Sequence, residues 1–486
     1  MKTIEELINN ISILHTVGSL EKEIKAICFD TREVENSSLF VAQKGTKVDG
    51  HNYIEQAITK GAICIVAEQL PKKLRNDVTY LQVESSPRTL ALLACNFYDN
   101  PSKHLKLIGV TGTNGKTTVA TLLYQLFTNL KFKTGLLSTI ENKIGQTSIP
   151  STHTTPDSIQ LNQLLARMLL EGCEYCFMEV SSHAIVQERI TGLHFVGGVF
   201  TNITHDHLDY HKTLKEYIIA KKLFFDNLPK TAFALINIDD PNGKIMMQNT
   251  SAQCKTYSLQ TVHCDFKAKI NESSLDGMNL IIDNENVWVK LVGKFNVYNL
   301  LSIYATAILL GINKQNVLLK MSMLDPAEGR FTVIRGQDVT LIVDYAHTPD
   351  ALLNILKTIG EIIKSKQKIT TVIGCGGNRD KTKRPEMAKI AYKLSDKLIL
   401  TSDNPRNEDP DSILDDMIKG IPNEDDENVF VISDRKQAIK IAISTAKKGD
   451  VILLAGKGHE RFQEINGVKY NFDDIEIAKH YLINIK

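Results

Sequence analysis

The sequence predicts an α/β protein in three domains, and three observations carry that expectation. At 486 residues the chain exceeds what a single hydrophobic core organises. From residue 103 onward, short apolar strand-like runs alternate with segments of helical spacing, the pattern of parallel sheets covered on both faces. Near residue 330 the alternation restarts, so the boundaries read 1–102, 103–329 and 330–486.

The first block is short and mixed. It ends at "CNFYDNPSKHL", where Asn100 and Pro101 mark a linker, and a small N-terminal α/β domain is expected there. In the second block "LKLIGV", "YCFMEV", "GGVFTNI" and "AFALINI" read as strands. In the third, "VTLIVDYAH", "KITTVIGCGG", "DKLILTSDN", "NVFVISD" and "DVILLAGKG" do so, spaced by helical segments such as "DALLNILKTIGEIIKSK". That succession predicts a C-terminal Rossmann-like α/β domain. Ligands of such sheets gather at the carboxyl ends of the strands, so the loops that follow these runs are the places to seek chemistry. No repeat of fixed period and no low-complexity tract is present.

Composition narrows the function classes. Apolar residues make up 43% and charged residues 23%, ordinary for a soluble globular chain. A formal charge of +1 gives no global reason to expect nucleic acid or a membrane surface as partner. Glu5 and Glu6 stand where an export signal would place its apolar core, and no apolar stretch reaches the ~18 residues of a membrane span. The eight cysteines are scattered, as in a reducing cytoplasm. Cys173 and Cys176 form a lone CxxC without a second pair, so buried packing is the expectation over zinc.

The strongest local signal is "LIGVTGTNGKTTVATLLYQLF". A strand-like run enters a glycine-rich loop and a helix follows. Loop N–H groups from Gly112, Thr113, Asn114 and Gly115 can cradle phosphates, Lys116 can reach the β/γ-phosphates, and Thr117, followed by Thr118, can hold Mg²⁺. The strict P-loop spacing would put glycine at Val110, and the chain departs from it there. The block 103–329 is therefore expected to be a P-loop ATPase-like parallel-sheet domain.

Glu179, at the end of "YCFMEV", supplies a carboxylate that suits Mg²⁺. "FTNITHDHLDYH" brings His205, Asp206, His207, Asp209 and His211 into one loop, with zinc a rival reading. In "EYIIAKKLFFDNL" either lysine can snorkel to solvent or point into a nucleotide site. Asn296 and Asn299 open a predicted helix, where capping is the first expectation and recognition of a base or ribose the second. Arg330, Asp344 and His347 sit at the junction of the last two blocks, a favoured place for a ligand. Finally "TSDNPRNEDP" sets Arg406 among turn formers. Turn chemistry accounts for its neighbours but not for an arginine, which either pairs with Glu408 or Asp409 or awaits a carboxylate or phosphate.

Taken together and in order, "DTREVENSSLFVAQKGTKVDGHNY", "GVTGTNGKTT", "STHTTPDS", "MEVSSHAIVQERI", "TNITHDHLDYH", "AKKLFF", "GKFNVYN", "GRF", "VDYAHTPDAL", "GCGGNRDKTKRPEM", "DNPRNEDP" and "GKGHE" resemble the Mur ligases. These are ATP-dependent amide-forming enzymes of peptidoglycan precursor synthesis. The "DNPR" loop resembles the branch that adds meso-diaminopimelate. The resemblance implies that Thr31, Thr46, Lys47 and Val48 hold the UDP end of a UDP-muramoyl-dipeptide. Thr154, Thr155, Ser181, Gln187 and Arg189 would position its dipeptide. Asn299, Arg330 and Asp344 would hold the adenine and ribose side of ATP. Arg379, Asp403, Asn404, Pro405, Arg406, Gly456 and Glu460 would bind the amino acid. It further implies that Lys221 is carbamylated, that Lys222 is the solvated lysine, and that Thr117, Glu179, His205 and Lys221 are magnesium partners. The alternatives are a ligase that adds L-lysine, a folylpolyglutamate synthase, and a P-loop ATPase without ligase activity. A cytoplasmic monomer with no nucleic-acid or membrane partner is expected.

Overall fold

A computed structural model describes residues 1–45, 48–364, 366–423 and 426–484. Three large sheets follow one another along the chain. The first has five strands in the order His15–Val17, Thr79–Gln82, Ala62–Ala67, Ser38–Val41, Ala26–Cys28, parallel except for the first pair. After the short helical turn Pro101–Lys103, the chain enters the second at Lys106–Thr111. That eleven-stranded sheet is parallel through its middle, from Thr134–Leu137 across Tyr175–Glu179, Lys106–Thr111, Gly197–Phe200 and Phe233–Asn237 to Gln253–Ser258 and Phe266–Ser274. The third has six strands, Thr332–Arg335, Thr340–Asp344, Val451–Ala455, Ile369–Ile373, Lys397–Leu400 and Val429–Val431, parallel after the first pair.

The strand Lys106–Thr111 explains why the central sheet is covered twice. Side chains alternate across a strand. Ile108 and Val110 enter a core with Val119, Leu122, Leu126 and Phe127 of the helix Lys116–Asn129 and with Leu300, Leu301 and Tyr304 of Lys294–Leu309. Leu107 enters the opposite core with Leu161 and Leu165 of Ser158–Leu170 and with Phe224 and Phe225 of Leu214–Asp226. Cys173 and Cys176 are buried in that second core, as packing predicts.

Two features depart from the sequence reading. The central sheet is not parallel throughout. Hairpins at both ends, Glu141–Ile144 with Thr147–Pro150 and Gly277–Ile282 with Glu285–Val289, pair antiparallel. Asn296 and Asn299 do not cap their helix either: Gly293 is its N-cap without a side-chain bond. Asn296 instead donates backward to the Val292 carbonyl at 2.7 Å, and Asn299 donates to Asn296 at 3.1 Å.

The last helix, Asp474–Asn484, is bound to the third sheet by an ion pair without solvent exposure on either side chain. Arg435 Nε and Nη2 donate to the two Asp474 carboxylate oxygens at 2.8 and 2.6 Å, and Nη2 also donates to the Ala455 carbonyl at 3.0 Å. Removing one partner of such a pair strands the other charge and costs ~3–5 kcal/mol. Asp474→Ala is therefore expected to lower the Tm of the unit it closes by roughly 10 °C. Thermal unfolding followed by circular dichroism checks this; a drop of under ~3 °C would place the pair outside the stability-determining contacts.

Candidate active site

The parallel registers place Val110 beside Glu179 and Thr111 beside Phe200, so the carboxyl ends of three central strands open on one side. There a cavity of about 640 Å³ lies between the second and third sheets. Its floor is the glycine-rich loop. Gly112 and Gly115 hold φ of +149° and +87°, where L side chains are strained. A Cβ on Gly115 would also sit 2.6 Å from Asn299 Oδ1.

Two lysines converge on this floor. Lys116 Nζ donates to the Gly112 and Thr113 carbonyls at 2.9 and 2.8 Å. Lys221 Nζ donates to the same Gly112 carbonyl at 2.8 Å and lies 4.6 Å from the centre of the Tyr217 ring. Lys221 is 1% exposed and forms no ion pair among the described residues. Burial, with Lys116 alongside, holds its amine well below the ordinary lysine range. Burial lowers Lys116 too, against the opposing pull of Glu179. Lys222 is not freely solvated: it pairs with Asp226 at 2.5 Å and reaches the Gln248 carbonyl.

Glu179 is fully buried. Its Oε2 accepts from the Thr117 hydroxyl at 3.0 Å and its Oε1 from the Thr139 N–H at 2.7 Å, so two oxygen donors adjoin at the head of the helix. Arg330 reaches the same hydroxyl at 3.3 Å and stacks 4.5 Å over the Tyr345 ring. Asp344 accepts from the Phe331 N–H at 2.6 Å, while burial pushes its carboxyl up to about 6. Asn114 joins the two sheets' elements through Asp350 at 3.1 Å.

Thr154, Thr155, Ser181 and Arg189 form a second wall. Thr155 donates to the Glu179 carbonyl at 2.8 Å, and Arg189 donates to the Thr155 carbonyl at 2.8 Å and to Gln187 at 2.6 Å. Gln187 thus stands behind Arg189 and outside the cavity wall. The third sheet supplies Arg379, Arg406 and Glu460. Behind them Lys457, with a fully buried side chain, is 3.2 Å from Glu460, 3.2 Å from Asn404 Oδ1 and 3.6 Å from Asp403. Asp403, Asn404, Pro405 and Gly456 support this wall from beneath and are not in its surface. The alternative pairing of Arg406 with Glu408 or Asp409 does not occur among the described residues. Glu408 is held instead by the buried Arg384 at 3.0 Å and by Lys381 at 3.2 Å.

Several expected residues lie elsewhere. Thr31 bonds to Gln56 at 3.4 Å on the first sheet's side and Val48 is exposed; neither reaches the cavity. Thr46 and Lys47 lie outside the described residues. His205 is half-exposed, pairs with Asp380 at 3.2 Å and does not line the cavity. Its neighbours Asp206 and His207 line the cavity instead, and burial drives His207 towards its neutral form. Spacing within "HDHLDYH" held both candidates and could not say which side chain turns inward. Among the described residues no cluster of three or more metal-ligating side chains occurs, and no helix is long and apolar enough to cross a membrane.

Comparison with known proteins closes the case for the family. Residues 23–98 match the profile described as Mur ligase family, catalytic domain; residues 110–307 match the Mur ligase middle domain; residues 329–458 match the Mur ligase, glutamate ligase domain. The UDP-N-acetylmuramoyl-L-alanyl-D-glutamate–2,6-diaminopimelate ligases of Cytophaga hutchinsonii and Clostridioides difficile are 55% identical over 481 residues and 43% identical over 489, each match covering 99% of both chains. A solved structure of an enzyme of that name superposes with a TM-score of 0.71 at 32% identity, covering 99% of each chain. The MurF ligase of Thermotoga maritima in complex with ADP shares the fold, with a TM-score of 0.64 at 19% identity, covering 94% of this chain and 96% of its own. With profile matches in sequence order and relatives aligned from end to end, this protein belongs to the Mur ligase family.

Proposed function

We propose that this chain is the ATP-dependent ligase that joins meso-2,6-diaminopimelate to UDP-N-acetylmuramoyl-L-alanyl-D-glutamate in peptidoglycan precursor synthesis. One observation carries the reading. A phosphate-binding loop with Lys116 faces, across a single cavity, two arginines and a glutamate suited to a zwitterionic amino acid. The relatives' names agree with it. The chain divides at residues 102 and 329, and the three blocks take the UDP end, ATP and the amino acid in that order. Thr31, Thr46, Lys47 and Val48 serve the UDP end. Thr154, Thr155, Ser181, Gln187 and Arg189 serve the dipeptide, and Asn299, Arg330 and Asp344 serve adenine and ribose. Arg379, Arg406 and Glu460 contact diaminopimelate, with Asp403, Asn404, Pro405 and Gly456 shaping their loop.

The γ-phosphoryl group of ATP passes to the side-chain carboxylate of the D-glutamyl residue, forming an acyl phosphate and ADP. The amine of diaminopimelate then attacks the carbonyl, the tetrahedral adduct expels phosphate, and the amine gives up a proton. No protein nucleophile takes part. The chain's task is to align two anions and to neutralise charge on the transferring group. Lys116 exchanges its carbonyl contacts for phosphate oxygens. Lys221, as a carbamate, turns a buried cation into an anionic ligand. Thr117 and Glu179, whose adjoining oxygens suit a hard cation that keeps some waters, would hold Mg²⁺ together with carbamylated Lys221. His205 pairs with Asp380 outside the cavity lining, and His207, which lines the cavity, would be better placed to assist. The ion, when bound, supplies Lewis-acid charge to the phosphoryl oxygens. The enzyme works as a cytoplasmic monomer.

Arg406 is the test. Ligation of UDP-N-acetylmuramoyl-L-alanyl-D-glutamate is measured with meso-diaminopimelate and with L-lysine, for wild type and Arg406→Ala. Wild type is expected to prefer diaminopimelate, and the substitution to relax that preference by roughly 10- to 150-fold. Preference for lysine, or selectivity unmoved by the substitution, would make Arg406 a structural residue.

A further inference from the structure

Arg406 is not bare in the free protein. Its backbone, at φ +52°, is stitched to the hairpin of strands Phe462–Ile465 and Val468–Asn471. Arg406 N–H donates to the Glu464 carbonyl at 2.9 Å, and Asn466 N–H donates to the Arg406 carbonyl at 2.6 Å. Glu464 N–H in turn donates to Asn404 Oδ1 at 2.9 Å. This fixes Glu464 next to the arginine, with its carboxylate 3.5 Å from Nε. On the other side Nη1 donates to the Gly377 carbonyl at 2.8 Å. The Nη2 edge has no protein partner among the described residues. The guanidinium is thus held at Nε and Nη1, lines the cavity, and already has a counter-charge.

That counter-charge alters what the arginine can discriminate. A substrate with a carboxylate at its far end meets a guanidinium whose field is partly cancelled. A substrate without one leaves an arginine that still has an anionic partner, so the desolvation cost that should exclude it shrinks. Both effects act in one direction. Resting on the reading of this site as a diaminopimelate pocket, we propose that Glu464 is a specificity-determining residue, a built-in counter-carboxylate that weakens the preference Arg406 gives for an amino acid with a distal carboxylate over one without it.

The experiment compares kcat/KM for meso-diaminopimelate and L-lysine in wild type, Glu464→Gln, Glu464→Asp, Arg406→Ala and the double variant R406A/E464Q. The two side chains are 22% and 28% exposed, so their coupling is that of a partly solvated pair. E464Q, which keeps an acceptor and removes the charge, is expected to raise the diaminopimelate-to-lysine ratio by roughly 3- to 10-fold, mainly through KM. E464D is expected to stay near the wild-type ratio. In the Arg406→Ala background E464Q is expected to leave the ratio unchanged, because the effect runs through the arginine. An active E464Q enzyme with an unaltered or lowered ratio overturns the proposal. So does an equal loss with both amino acids, which would assign the carboxylate to the substrate ammonium. Absence of ligation by wild type would instead remove the diaminopimelate reading beneath it.

Discussion

Lys116→Ala is expected to lower kcat for ligation by roughly 10³-fold while UDP-N-acetylmuramoyl-L-alanyl-D-glutamate still binds within about threefold of wild type. The size follows from position. Lys116 opens the helix Lys116–Asn129 and in the free protein spends its ammonium on two carbonyls of its own loop. Those contacts are made by backbone that the fold already holds through Thr113 N–H to the Asn202 carbonyl at 2.7 Å and Asn114 N–H to Asn202 Oδ1 at 3.0 Å. The loop therefore keeps its shape when the lysine is lost, and the deficit falls on the charge that develops during phosphoryl transfer. The wall around Arg189, proposed to hold the dipeptide, makes its own bonds to Thr155 and Gln187, which is why substrate binding should survive. Turnover and equilibrium binding, measured on the same preparation, check both halves. A variant within tenfold of wild-type kcat would remove Lys116 from the phosphoryl-transfer step.

What the sequence disclosed and what it withheld divide along sequence distance. The glycine-rich loop was legible because strand, glycines, lysine and helix lie within about two dozen consecutive residues and their geometry is local. The parallel core was legible because continuous apolar runs have one stable use between two helical layers. The antiparallel ends were not: Phe266–Ser274 alternates between buried and exposed positions over its first half, and such alternation names no neighbour. In "HDHLDYH" the backbone turns through left-handed His207 at φ +55°. That turn directs His207 inward and His205 to Asp380, a partner 175 residues away. The partner of Arg406 was invisible for the same reason, since Glu464 is brought to it by a hairpin 58 residues downstream. Asn296 and Asn299 failed as caps because Gly293 starts the helix one turn earlier than the asparagines suggest.

Lys221 yields the second large effect, and its argument begins with cost. A lysine 1% exposed, facing a carbonyl already shared with Lys116 and lacking an acidic partner among the described residues, is a buried cation that stability alone would not select. The neutral amine is favoured there, and a neutral amine is a nucleophile. In the proposed carbamylation, its nitrogen would add to the carbon of CO₂ with loss of one proton, leaving an anion beside Lys116. That single step would place a negative charge beside Lys116 and provide the anionic oxygen that a phosphoryl-transfer site can use. Lys221→Met, close in volume and uncharged, is accordingly expected to fold with equal or greater stability, by up to ~1–2 kcal/mol, and to lose roughly 10²- to 10³-fold in kcat. Wild type stripped of CO₂ should lose activity and regain it with bicarbonate, while Lys221→Met responds to neither treatment. Native mass spectrometry of active wild type should show the added mass of one CO₂. Full activity in CO₂-free buffer, or an active methionine variant, would leave Lys221 as a buried structural amine and return the anionic ligand's place to Glu179 alone.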